Sequence, residues 1–110
     1  MAFNHELTAE MEKAFAKKVQ GVEREIVALE KEKADKFSES AEHLLEKHIL
    51  QFTPTGANDP DREKRIKEAE AKRDKALREH ATAHNDLSQA KGTLEILKAR
   101  KNELVNGLNS

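Results

Sequence analysis

His80 and His84 stand four residues apart, the spacing at which two imidazoles share one face of a helix and can hold a divalent metal between them. A metal site needs further ligands, and the glutamate of the HExxH signature is missing because Ala81 follows His80. With Lys33 and Leu29 as their expected neighbours, the two histidines read as ordinary polar positions in a thinned core. His43 and His48 are five apart and do not share a face. No nucleophile stands beside a base, no paired acids recur and no phosphate loop is present, so neither an enzyme nor a cofactor is expected.

A second pattern with chemical potential is the basic run 62–78. Its eight Lys and Arg include Arg62, Lys64, Arg65, Lys67, Lys72 and Arg73, which suit contact with a phosphate backbone. Four acids interleave them, and no aromatic residue in the run can stack on a base. A solvated helix face is the favoured reading, with a nucleic-acid accessory role as the alternative.

The elements that must position these residues follow from composition. Of 110 residues 37% are charged, 36% are apolar and only 4% aromatic, with a net charge of -1 and a mean hydropathy of -0.87. That is the composition of long helices and coiled coils rather than of a compact core. Both prolines, Pro54 and Pro60, fall in the segment 51–60, where the chain is expected to turn. The expected fold is all-α: an antiparallel two-helix hairpin forming one domain, with a helix over about 5–51, a turn over about 52–59 and a helix over about 60–106. Asp59 is expected to cap the second helix, with Pro60 in its first turn, and Asn106-Gly107 to end it.

In the first half the stripe Leu7, Phe15, Val22, Leu29, Phe37, Leu44 and Phe52 advances by seven or eight residues. In the second half Ile66, Arg73, His80, Leu87, Leu94, Lys101 and Leu108 (the last outside the residues described below) advance by sevens, as do Ala69, Ala76, Ala83, Ala90, Leu97 and Leu104, so a heptad seam with an alanine column is predicted. Folding at the turn pairs residues whose numbers sum to about 113. That register sets Phe37 against Ala76 and Leu44 against Ala69, and it brings Gly21 level with Gly92 at a close contact or a shared bend. Arg73, His80, Lys101 and Lys33 would be polar residues within the seam, where such residues commonly enforce register.

Val27, Leu45, Leu50 and Ile96 are predicted to point away from the seam and to form a second interface. A two-helix hairpin covers one stripe per helix, so further burial in a dimeric helical bundle or against another protein is expected. The functional expectation is a non-enzymatic protein-binding module: an adaptor, chaperone, scaffold or inhibitor. With no basic-apolar leader pattern and no run of about 18 apolar residues, a soluble cytoplasmic protein without membrane contact is expected.

Overall fold

The computed structural model describes residues 2–54 and 60–107, with side chains from residue 6 onward. They are almost entirely helical: α1 spans Ala2–Phe52, α2 spans Pro60–Ala99, and a short α3 spans Lys101–Asn106. The two long helices pack against each other, and there is no strand among the described residues. Pro60 begins α2 with Asp61 and Glu63 in its first turn, where the fixed proline φ and the helix dipole favour them. The turn itself and the Asp59 cap lie outside the described residues. Gly107 closes α3 at φ 81° and ψ 170°, backbone that is open to glycine alone, as expected of a stop signal.

Helix contacts divide the chain into two units. The first pairs α1 up to Leu29 with the chain from Asn85 onward; the second runs over Glu30–His84. In the first unit Val22, Leu87, Ala90 and Val105 are buried, and the Lys101 ammonium sits 5.6 Å from the centre of the Phe15 ring. Lys101 is thus an exposed lid on an aromatic face rather than a seam residue. The expected continuous helix to residue 106 breaks at Arg100, whose φ of -120° leaves the helical region. Neither proline nor glycine marks the site; Arg100 Nε pairs with Glu103 Oε2 at 2.9 Å. The break re-phases the last turn, so Val105 enters the core and Leu104, the expected seam residue, is 44% exposed.

In the second unit the buried apolar residues are Ala69, Ala76 and Ala83. The expected register holds where bonds end on the α1 backbone. His80 Nδ1 donates to the Lys33 carbonyl at 2.9 Å, and Arg62 donates to the carbonyls of Leu50, at 2.6 Å, and Gln51. A carbonyl can only accept, so His80 carries its proton on Nδ1. The ion pairs Lys36–Glu79 and Lys47–Glu70 are offset by two to four positions, a span that long side chains bridge.

Two sequence expectations are corrected here. Phe37 does not cover Ala76: it is 59% exposed with its ring 5.4 Å from that of His80, and Ala76 instead lies among Lys36, His43, Lys72 and Glu79. Gly21 and Gly92 mark no close approach, since a Cβ at either would meet nothing within 4 Å, and the helices run through both. Gly21→Ala and Gly92→Ala should each stabilise the protein by about 0.5–1 kcal/mol, because alanine removes the glycine entropy penalty without a clash. Thermal melts of the single and double variants check this. Ala76→Leu should destabilise by about 1–3 kcal/mol through overpacking, and Phe37→Ala should not rescue it.

Candidate interaction faces

Burial along α1 shows which side chains the hairpin uses. From Phe15 onward the half-buried or buried positions are Phe15, Val19, Val22, Ile26, Leu29, Lys33, Lys36, Ser40, His43, Leu44, Lys47 and Leu50. Apart from Leu44 they alternate steps of four and three, a strict heptad. Up to Leu29 the seam is apolar; beyond it the same phase selects lysine, serine and histidine. Phe37 and Phe52, which the seven-or-eight stripe assigns to the core, are rotated outward, as are the apolar residues Ala41 and Ile49.

The polar seam of the second unit is held by charge. Lys36 Nζ lies 2.7 Å from Glu79 and 3.1 Å from Glu39, and Lys47 Nζ lies 3.0 Å from Glu70. Hydrogen bonding to Glu79 and Glu39 raises the Lys36 ammonium well above its ordinary value, and the bond from Lys36 lowers Glu79. Buried Ser40 donates to the Phe37 carbonyl at 2.6 Å. His43 Nδ1 is buried without a hydrogen-bond partner, the Glu46 carboxylate standing 3.9 Å away.

Of the four predicted interface residues, Val27 is 67% exposed, Leu45 60% and Ile96 56%, whereas Leu50 is half-buried in the seam phase and does not point away from it. Phe37, Ile49 and Phe52, at 59%, 56% and 81% exposed, join Leu45 on the outer side of α1 in the second unit. The signal that locates them was present in the sequence: continuing the exact sevens of Phe15, Val22 and Leu29 reaches Lys36, His43 and Leu50, which leaves Phe37 outside.

The basic run does not form one surface. At about 100° per residue, Arg62 and Arg73 fall on the seam side, Lys64 and Lys67 roughly opposite, and Arg65 and Lys72 on a third side. Arg62 is half-buried and committed to the last carbonyls of α1, whose own last turn has no basic residue to offset its negative end. Arg73 is half-buried, while Lys64, Arg65, Lys67 and Lys72 are exposed. His80 spends Nδ1 on the Lys33 carbonyl, and His84 is exposed. Among the described residues no three His, Asp or Glu groups converge as metal ligands, and no helix is long and apolar enough to cross a membrane.

No known family, characterised protein or solved structure matches this chain. The interaction faces therefore stand on their own geometry.

The Lys36–Glu79 pair has a defined pH signature. Glu79, lowered in the fold, contributes stability above its unfolded value of 4.5 and loses it as pH falls through the lower folded value. Lys36, raised in the fold, contributes below 10.5 and loses that contribution as alkali titrates it. Glu79→Gln should thus lower the urea midpoint at neutral pH, and the gap from the unmodified protein should close in acid, below the folded Glu79 value.

Proposed function

We propose that this protein is a non-enzymatic interaction module: a helical hairpin that self-associates into a dimeric bundle and binds another protein through extended helix faces, as an adaptor, chaperone, scaffold or inhibitor does. One observation carries the reading. The buried apolar side chains described in the second unit are alanines, whereas large apolar residues, Phe37, Leu45, Ile49 and Phe52, face outward. In the first unit Val27 and Ile96 are exposed in the same way. A hairpin that hides its small residues and presents its large ones gains its remaining burial from association.

The alternative, a nucleic-acid accessory role for Arg62, Lys64, Arg65, Lys67, Lys72 and Arg73, has less support, because these residues are dispersed around α2 and Arg62 is engaged within the hairpin. Affinity capture from the native host, with and without nuclease, separates the two readings. A partner protein retained after nuclease treatment, and lost when Leu45 and Ile96 are changed to Glu, is the expected result. Capture that depends on nucleic acid and falls steeply with salt would reverse the assignment.

A further inference from the structure

We propose that self-association is closed by one particular surface: the outer stripe of α1 formed by Ala34, Phe37, Ala41, Leu45, Ile49 and Phe52, packed antiparallel on the same stripe of a second copy. The proposal rests on the self-associating reading above and assigns its contact. All six residues are exposed, and on a helix they occupy about one third of the circumference, away from the seam residues Lys36, Ser40, His43 and Lys47.

Their spacing identifies the occupant. The six positions are separated by three, four, four, four and three residues, which reads the same in both directions about position 43. A two-fold axis there brings Phe52 opposite Ala34, Leu45 opposite Ala41 and Ile49 opposite Phe37. Two of these three layers set a large side chain against an alanine, the complementarity that lets two helices interdigitate. A two-fold contact uses the same surface on both copies, and this spacing gives every residue of the stripe a defined counterpart on the second copy.

Area points the same way. Exposed phenylalanines at 59% and 81% each present roughly 100 Å² or more to water, and with Leu45 and Ile49 the stripe offers on the order of 450 Å² per protomer. Two copies together reach about 900–1,000 Å², near the lower threshold of a specific interface before flanking side chains are counted. With Ala69, Ala76 and Ala83 as the buried apolar residues of this unit, the stripe is its largest reserve of burial.

The chain contains no cysteine, so single-cysteine variants report proximity between copies without background. The test combines light scattering over a range of concentrations with oxidative cross-linking of Ala41→Cys and Leu45→Cys, using Lys75→Cys on α2 as the control. The expected result is a mass near twice 12.4 kDa, at least a tenfold weaker dimer for Leu45→Glu with helicity by circular dichroism retained, and cross-links at 41 and 45 but not at 75. A dimer that is unchanged by both Leu45→Glu and Phe37→Glu, or that cross-links through position 75 instead, overturns the assigned surface and leaves self-association standing. A protein that remains monomeric at every concentration overturns both, and leaves the stripe to a partner of another kind.

Discussion

The arrangement depends on a single constraint: both long helices keep the same seven-residue period. In α2 the period is set by the column Ala69, Ala76, Ala83 and Ala90, all nearly fully buried, whose small side chains allow the partner helix to come close. In α1 it is set by Phe15, Val22 and Leu29. Burial follows the sevens of Phe15, Val22 and Leu29 onward through Lys36, His43 and Leu50, whatever residues occupy them. The inward side then carries Lys33, Lys36, Ser40, His43 and Lys47.

Apart from His43 Nδ1, which is buried without a hydrogen-bond partner, this polar seam is satisfied. Lys36 is shared between Glu39 and Glu79, Lys47 meets Glu70, and His80 ties its ring to the Lys33 backbone. Half-exposed ion pairs add little net stability, because desolvation and side-chain entropy offset most of the attraction. Their stronger effect is on alignment. The His80 bond reaches a main-chain carbonyl within α1 and Arg62 reaches two more at the α1 terminus, so a slip of one turn would carry Arg62 away from the terminal carbonyls. Close alanine contacts supply proximity, and these bonds choose the register.

Much of this was legible in the sequence. The two prolines delimited the helices, the exact sevens of α2 gave its buried column, and the sum of about 113 matches the backbone-anchored bonds at His80 and Arg62. The phase of α1 beyond Leu29 was not legible by following hydrophobicity, because Phe37, Leu44 and Phe52 form a plausible stripe of their own. Burial is decided by the helix that α1 packs on, and α2 offers alanine and charge there, not a large apolar groove. The glycine pair was misleading for a related reason: coincidence in height is not contact, and both positions open on empty space. The break at Arg100 has no proline or glycine to announce it. Among the residues expected to form an interface, Leu45, Val27 and Ile96 were readable as outliers from the seam and are exposed, whereas Leu50 belongs to the seam once the strict heptad is followed.

The displaced phenylalanines give the polar seam a functional meaning. Had α1 shifted phase to bury Phe37 and Phe52, the second unit would have an ordinary apolar core, and its lysines would lie in solvent. The observed phase does the reverse along α1, with Lys33, Lys36 and Lys47 half-buried and Phe37, Leu45, Ile49 and Phe52 exposed. A monomer gains nothing from that exchange, because large apolar side chains stabilise most when they are removed from water. The proposed assembly would gain from it, since directional polar bonds align the hairpin and leave the large apolar side chains to the proposed contact between copies. This division of labour links the chemistry of the seam to the symmetry of the stripe, and it is why the exposed face of α1, rather than any of the polar clusters, carries the functional reading.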